Sequence, residues 1–220
     1  MMSKHRNIND SIVHSGEFIS SLRQQPLLIV IRPTNFNTTD RHITKLYSAG
    51  FRHIELAWTP NKKWEDWAYY WKNKFPSLYF GAASITSLEG LESVHRVGLS
   101  YSVSPVLNEI LLSRSRQLNM LLIPGVFSPT EVYKSIQLGC NIIKLFPAQF
   151  LGPHYWRQLS APLGPLPFCL AAGGLQIKDV PLWLNSGVNA IALGQKSLYS
   201  SLPEIFTLTT CSHNHLRNIF

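Results

Sequence analysis

The 220-residue sequence is poor in cysteine and contains no long apolar segment. Its three cysteines are an odd number without Cys-x-x-Cys spacing, so we expect no disulfide framework and a reducing, cytoplasmic location. The longest purely aliphatic run, Leu27–Ile31, is much too short to cross a bilayer. Residues 1–16 are polar and lack an apolar core followed by a small-residue cleavage site, so we expect neither a signal peptide nor a membrane anchor.

Acidic residues are also scarce, since 12 Asp and Glu face 20 Lys and Arg, which leaves a formal net charge of +8. Such a balance suits an anionic small-molecule substrate and would also suit weak contact with nucleic acid. The basic residues are scattered, with only short pairs such as Lys62 and Lys63, and no nucleic-acid-binding motif accompanies them. We therefore interpret them as a solvated surface and expect no nucleic-acid partner.

A metal-ligand set is missing as well. Cys211, His213 and His215 lie close together near the C-terminus, but no fourth ligand accompanies them. A mobile tail explains these residues better than a zinc site does. We expect neither a metal ion nor another cofactor.

Short apolar runs alternate along the chain with amphipathic stretches. Their unbroken apolar character is typical of parallel strands that are buried on both faces. The predicted strands are Leu27–Ile31, His53–Ala57, Leu78–Ala82, Tyr101–Val103, Met120–Ile123, Ile142–Leu145, Cys169–Ala171 and Ala190–Leu193. The clearest helical patterns are Asn61–Phe75, whose tryptophans we interpret as a packing stripe, Thr130–Leu138 and Asp179–Asn185.

Eight strand–helix units in this length predict a single (β/α)8 TIM barrel domain over residues 1–220, with its core at about 26–200. The alternative is an open, doubly wound sheet. Its phosphate loop after the first strand is missing, because Ile31–Asn35 contains no glycine. We expect an extra N-terminal helix before about Gln25 and a C-terminal helix and tail after about Pro203.

Lys144 lies in Asn141–Ala148, on a strand that is otherwise apolar. A lysine inside a parallel sheet must be paired, or have its pKa lowered by desolvation. A neutral amine in an apolar pocket is the nucleophile that attacks a carbonyl to form an imine. The pattern also allows a lysine that extends from a strand end or pairs with a structural carboxylate.

Glu55 is a second charged residue in an apolar strand, and it should reach the same end of the barrel. A carboxylate near an amine can serve as a general acid and base. The alternative is a buried ion pair with a structural role only.

Other polar groups follow the predicted strands, where barrel enzymes place their active sites. Gly173-Gly174 and Gly194, with Lys196, occupy the region where such barrels bind phosphate through backbone N–H groups. Arg32, Thr59 and Ser84 follow the first three strands, and Ser102 and Ser104 lie around the fourth.

Several ordered motifs resemble the class I aldolases that cleave 2-keto-3-deoxy-6-phosphogluconate (KDPG) and 4-hydroxy-2-oxoglutarate (KHG). The most specific match begins at Ile123-Pro-Gly-Val-Phe-Ser-Pro-Thr-Glu131 and continues through Gly139 to Lys144-Leu-Phe-Pro-Ala148. The resemblance extends from about Pro26 to about Ser197. Supporting matches are Val30–Arg32, Gly50–Glu55, Gly81–Ser84, Val103–Pro105 and Ala172–Gly174.

The resemblance implies a trimeric, metal-independent lyase of the Entner–Doudoroff type, acting on a small 2-oxo acid. Lys144 would be the Schiff-base lysine and Glu55 the general acid and base. Arg32, with Ser84 and Thr59, would hold the substrate carboxylate, next to Pro105 of the Val-Ser-Pro motif. The backbone near Gly173, Gly174 and Gly194, with Lys196, would hold a distal phosphate.

The sequence departs from the family pattern at several positions around Lys144 and Glu55. Thr59 replaces an arginine of many members, Ala172 removes a threonine hydroxyl, Val106 replaces a glycine, and the change at Gln195 removes a serine on the phosphate side. Three alternatives therefore stay open. They are an aldolase for an unphosphorylated 4-hydroxy-2-oxo acid, an inactive barrel that binds an anionic metabolite, and a binding role for the basic surface.

Overall fold

The computed structural model describes residues 9–195, in which strands and helices alternate. The strands are β1 (Leu27–Ile31), β2 (His53–Ala57), β3 (Tyr79–Ala83), β4 (Tyr101–Val103), β5 (Leu121–Ile123), β6 (Gly125–Val126), β7 (Ile142–Leu145), β8 (Phe168–Ala172) and β9 (Ala190–Gly194). The α-helices are α1 (Asn9–Gln24), α2 (Phe36–Ser48), α3 (Lys62–Lys74), α4 (Leu88–Val97), α5 (Glu109–Gln117), α6 (Pro129–Gln137), α7 (Tyr155–Gln158), α8 (Ser160–Leu163) and α9 (Val180–Asn185). Two short 3-10 helices span Ala148–Phe150 and Ile177–Asp179.

The strands form one parallel sheet in the order β5-β4-β3-β2-β1-β9-β8-β7-β6. The two ends of this order, β5 and β6, are halves of one barrel strand separated by Pro124. Proline has no N–H to donate, but the Pro124 carbonyl accepts a hydrogen bond from the backbone N–H of Lys144 at 2.8 Å and continues the ladder to β7. The sheet thus closes into a (β/α)8 TIM barrel, and the predicted fold is confirmed.

Both faces of the barrel wall are apolar, because successive side chains of a strand point to opposite sides. On β1, Leu28 belongs to the inner cluster of buried side chains, whereas Leu27 and Ile29 belong to the outer cluster beneath the helices. This double burial explains why the strands appear in the sequence as unbroken apolar runs.

The predicted extra N-terminal helix is α1, and it closes the N-terminal end of the barrel. Phe18 and Leu22 are buried in the inner cluster, and the ring centroid of Phe18 lies 4.2 Å from that of Tyr101. Ser21 Oγ lies 2.8 Å from His53 Nε2. Since this end is filled by side chains, a substrate must approach from the C-terminal ends of the strands.

The tryptophans of α3 pack the helix on the barrel, as predicted. Trp64 and Trp71 are buried. Their indole N–H groups donate to the Ala57 carbonyl at 3.0 Å and to Asp40 Oδ1 at 3.2 Å. The burial of two large rings whose N–H groups are hydrogen-bonded explains the helical spacing of the tryptophans, so no ligand is needed to account for them.

Side-chain caps set where the helices after the early strands begin. Ser128 and Glu131 form a capping box at α6, in which each side chain accepts from the backbone of the other residue. The N-cap side chains of α2 to α5 each accept a backbone N–H in the first turn, and these residues are Asn35, Asn61, Ser87 and Asn108. Such caps start each helix directly after a short loop, so the loops at the barrel opening stay compact.

The predicted element boundaries agree with the structure to within about two residues. β3 begins at Tyr79 rather than Leu78, because the Leu78 N–H donates to the Phe75 carbonyl in a turn at 3.1 Å. Between residues 9 and 195, no helix combines the length and the apolar character that a membrane span requires. Lys196, the C-terminal helix and tail predicted after about Pro203, and Cys211, His213 and His215 lie outside the described residues.

Candidate active site

The barrel brings the two predicted catalytic side chains together in its interior. Glu55 lies on β2 and Lys144 on β7, both on inward-facing positions, and they are close enough for each charge to influence the other. Neither side chain takes part in any ion pair among residues 9–195. The pair is therefore an electrostatic couple rather than a closed salt bridge.

Lys144 is buried, with 8% of its surface exposed. Burial lowers the pKa of its ammonium group, and the positive charge of Arg32 acts in the same direction, while the Glu55 carboxylate acts against both. Its Nζ lies 4.4 Å from the ring centroid of Phe146, two residues further along the chain. A lowered pKa supplies the neutral amine that imine formation requires.

Glu55 is buried even more completely, with 1% of its surface exposed. Neither carboxylate oxygen has a hydrogen-bond partner within the described structure. Burial raises the pKa of Glu55 from its ordinary value of 4.5 to about 7, although the positive charge of Lys144 acts in the opposite direction. A carboxyl group with a pKa near neutrality can both accept and return a proton, as a general acid and base must.

Glycines allow the backbone to approach closely around Lys144. Gly125 on β6 pairs with Lys144 on β7, and a Cβ at Gly125 would overlap the backbone of Pro105. Gly173 has a φ of 95°, and a Cβ there would lie 2.9 Å from the Phe146 ring. The Gly-Gly turn after β8 therefore packs on the Phe146 ring, which lies over Lys144, so the predicted phosphate side is next to the predicted nucleophile.

The predicted binding residues follow the C-terminal ends of their strands and so lie around one opening. Arg32 follows β1 and is exposed, although its charge still acts on Lys144. Thr59 is exposed beyond β2, and Pro105 is half-buried after β4. Ser84 adopts the left-handed region with a φ of 65°, which side-chain-bearing residues rarely occupy outside constrained sites.

The predicted phosphate side lies at the C-terminal ends of the neighbouring strands β8 and β9. Gly174 has a φ of 82° and, like Gly194 at the end of β9, is exposed. Gln195 points towards α2, where its Nε2 lies 2.6 Å from His42 Nδ1. Ala172 is buried on the inner face of β8. Lys196 lies beyond the described residues.

Three residues of the site were not singled out by the sequence. Phe146 lies against Lys144, while Gly81 and Tyr101 lie beside Glu55 at the same level of the barrel wall. The available signal was glycine inside an apolar strand, which marks a close approach by another group. Among residues 9–195, no group of three or more His, Cys, Asp or Glu side chains is placed to hold a metal ion.

Comparisons with known proteins identify a family and a shared fold. The family model described as KDPG and KHG aldolase matches residues 18–204. A relative from Escherichia coli (strain K12), 2-dehydro-3-deoxy-6-phosphogalactonate aldolase, is 23% identical over 177 residues that cover 77% of this chain and 82% of the relative.

Solved structures share the fold. The structure described as native KDPGal superposes with a TM-score of 0.76 at 21% identity, covering 88% of this chain and 97% of that one. KDPG aldolase from Legionella pneumophila, with pyruvate captured as a covalent carbinolamine intermediate, superposes with a TM-score of 0.73 at 19% identity, covering 91% and 97%.

Proposed function

Because the chain belongs to the KDPG and KHG aldolase family and is a carbon–carbon lyase, we propose that it cleaves a KDPG-type 2-oxo acid through a Schiff base on Lys144. The observation that supports this most strongly is the pairing of a buried lysine with a buried, unbonded carboxyl inside one barrel. Burial favours the neutral amine that nucleophilic attack needs, and it brings the pKa of Glu55 to about 7, where a carboxyl group can both accept and return a proton.

In the proposed mechanism, the Lys144 amine attacks the C2 ketone to give a carbinolamine, which loses water to form an imine. The protonated imine withdraws electrons, so the C3–C4 bond breaks while Glu55 removes the proton of the C4 hydroxyl. The aldehyde leaves, which is glyceraldehyde 3-phosphate for the phosphorylated substrate. The remaining enamine is protonated at C3, and hydrolysis releases pyruvate and the free lysine.

Phe146 contributes to the cationic steps of this mechanism. Its ring centroid is 4.4 Å from Nζ, so a positive charge on the imine nitrogen lies over an aromatic face. Such an arrangement stabilises a cation by about 0.5–2 kcal/mol, depending on how far it is desolvated. The cation–π contact therefore favours the iminium over the neutral imine.

Substrate anions bind around the opening in this proposal. Arg32 holds the carboxylate with Ser84, Thr59 and the neighbouring Pro105 loop. The backbone at Gly173, Gly174 and Gly194, with Lys196, receives the distal phosphate. The formal net charge of +8 favours the approach of such a substrate, which carries both a carboxylate and a phosphate.

A second candidate substrate is the galactonate counterpart, 2-dehydro-3-deoxy-6-phosphogalactonate. The Escherichia coli relative that spans most of this chain carries that name. An unphosphorylated 4-hydroxy-2-oxo acid is the third candidate, because Gln195 replaces a hydroxyl-bearing residue and is turned to His42. The three compounds share the 2-oxo acid end. The gluconate and galactonate compounds differ in configuration at C4, which carries the hydroxyl beside the scissile bond, whereas the third compound lacks the distal phosphate.

The test is pyruvate release, coupled to lactate dehydrogenase, from each of the three compounds. Lys144→Met should abolish release, whereas Lys63→Met, which changes an exposed lysine on α3, should leave it unchanged. Borohydride reduction in the presence of pyruvate should attach a three-carbon adduct to Lys144. A folded wild-type protein that releases no pyruvate and gains no adduct would overturn the proposal.

We further propose that the chain, as a single barrel domain, assembles into a homotrimer in the cytoplasm and serves Entner–Doudoroff-type metabolism. Cys140 and Cys169 are free thiols, which suits a reducing compartment. The Glu109–Lys134 ion pair of 3.1 Å brings α5 and α6 together. Large apolar side chains are exposed on this part of the surface, namely Val106, Ile110, Phe127 and Tyr133.

Exposed apolar side chains grouped in this way are typical of a surface that another protein subunit covers. Sedimentation of the wild-type chain should give a trimer, and Ile110→Asp should shift it to monomer. Leu182→Asp, which changes an exposed residue on α9, is the matched control and should leave the trimer intact. A monomeric wild-type protein would contradict the assembly and leave the lyase proposal intact.

A further inference from the structure

Tyr101 shares one level of the barrel wall with Glu55. Glu55 on β2 pairs with Gly81 on β3, and Gly81 pairs in turn with Tyr101 on β4. Laterally paired residues of a parallel sheet point to the same face. All three positions therefore face the barrel interior, with the glycine between the two side chains.

The missing side chain of Gly81 makes room for the Tyr101 ring. A Cβ at Gly81 would overlap ring atoms of Tyr101, so the ring crosses β3 in the direction of β2. There the phenol hydroxyl donates to the backbone carbonyl of Ile54 at 3.4 Å. Ile54 immediately precedes Glu55, so this buried hydroxyl reaches the strand segment that carries the carboxyl group.

We propose that Tyr101 is a positioning residue for Glu55. The Tyr101 hydroxyl holds β2 through the Ile54 carbonyl, and it turns to donate its hydrogen to the Glu55 carboxylate whenever Glu55 is ionised. This inference rests on the proposed function, because it concerns the general base of that reaction. Neither oxygen of the Glu55 carboxyl group has a hydrogen-bond partner within the described structure, so an available donor matters most when negative charge develops on this group.

The neighbouring titratable groups leave this role to Tyr101. Lys144 faces Glu55 from β7, but its amine becomes covalently committed once the imine has formed. His53, on the same face of β2, already lies 2.8 Å from Ser21 Oγ and 3.2 Å from the Leu27 carbonyl. Arg32, after β1, acts on Lys144.

The phenol stays protonated in this environment. Burial raises the pKa of Tyr101 well above its ordinary value, and the negative charge of Glu55 acts in the same direction. A hydroxyl that cannot ionise over the working pH range is a constant donor. Because a hydroxyl rotates about its C–O bond, it can exchange one acceptor for another at little cost.

The experiment is an infrared titration of the Glu55 carboxyl band in the full-length protein, with the band identified by its loss in Glu55→Gln. Tyr101→Phe keeps the ring and removes only the hydroxyl. It should raise the pH at which Glu55 ionises by about one unit, which corresponds to about 1.4 kcal/mol. The acid limb of the kcat/KM profile should move in the same direction, while KM changes little.

Tyr79→Phe is the matched control, because Tyr79 lies on β3 and packs on Phe18 and His53 rather than beside Glu55. Tyr79→Phe should leave the pH at which Glu55 ionises unchanged. Equal titrations of Tyr101→Phe and wild type, or an equal shift in Tyr79→Phe, would overturn the role of Tyr101. Failure of the wild-type protein to release pyruvate would instead overturn the proposed function, since the infrared titration does not depend on turnover.

Discussion

Replacing His53 should remove a large part of the acid sensitivity of this fold. The imidazole is fully buried at the closed end of the barrel, under α1. One ring nitrogen lies 2.8 Å from Ser21 Oγ and the other 3.2 Å from the Leu27 carbonyl. Burial lowers the pKa of His53 from its ordinary value of 6.5 to about 4, and the charge of Arg52 adds to this, while the bond to Leu27 acts against it.

The sign follows from proton linkage. A group whose pKa is lowered by folding contributes stability that is present above its unfolded pKa and is lost as the pH falls towards its folded pKa. For His53 that window runs from 6.5 down to about 4. At about 1.4 kcal/mol per pH unit, the full effect is about 3.5 kcal/mol, and no discount for solvent screening applies to a fully buried ring.

The assay is urea unfolding, followed by tryptophan fluorescence, at about pH 7.5 and about pH 4.5. Between about pH 7.5 and about pH 4.5 the free energy of unfolding of the wild-type protein should fall by about 2.5 kcal/mol through His53 alone. The fall in His53→Gln should be smaller than in wild type by about 2.5 kcal/mol. Glutamine retains a donor and an acceptor for Leu27 and Ser21. His95→Gln, an exposed substitution on α4, should behave as wild type. Equal acid losses in His53→Gln and wild type would refute the reasoning.

Three further outcomes are expected. Because Glu55 must be ionised to remove the C4 hydroxyl proton, kcat/KM should rise with pH through about 7, and a rate profile that is flat across neutrality would argue against Glu55 as the base. Gly125→Ala should cost about 1–3 kcal/mol and reduce pyruvate release, because its Cβ meets the Pro105 backbone, while Gly16→Ala, with no atom within 4 Å of its Cβ, should be tolerated in both assays. Ser128→Ala should lower the free energy of unfolding by about 1 kcal/mol without changing KM, and an unchanged urea midpoint would contradict the capping box as a source of stability.

Local sequence patterns account for most of the barrel. A strand buried on both faces must be apolar at nearly every position, so β1, β2, β4 and β7 could be bounded from the sequence alone. The same pattern predicted Lys144 and Glu55 as candidate catalytic residues, because a charged residue is uncommon in such a strand, and it also allowed a buried ion pair with a structural role. Lys144 and Glu55 are therefore recognisable without coordinates.

The sequence was less informative about the residues that we propose bind the substrate. Arg32, Thr59 and Ser84 follow strands in the sequence, and the barrel brings those strand ends to one opening. Which of them reaches a substrate depends on loop conformation, such as the φ of 65° at Ser84. Loop backbone angles are set by tertiary packing, and periodicity does not report them.

What surrounds Lys144 and Glu55 depends on tertiary packing, which the sequence does not report. Tyr101 reaches Ile54 from 47 residues away in the sequence, across a glycine on the strand between them. The cover of Phe146 on Lys144 and the closure of the barrel through Pro124 likewise depend on strands that meet in space. Composition and spacing determine which residues must be buried and on which face of a strand they lie. Which buried side chains then touch is determined by barrel closure, because closure brings together strands that are far apart in the chain.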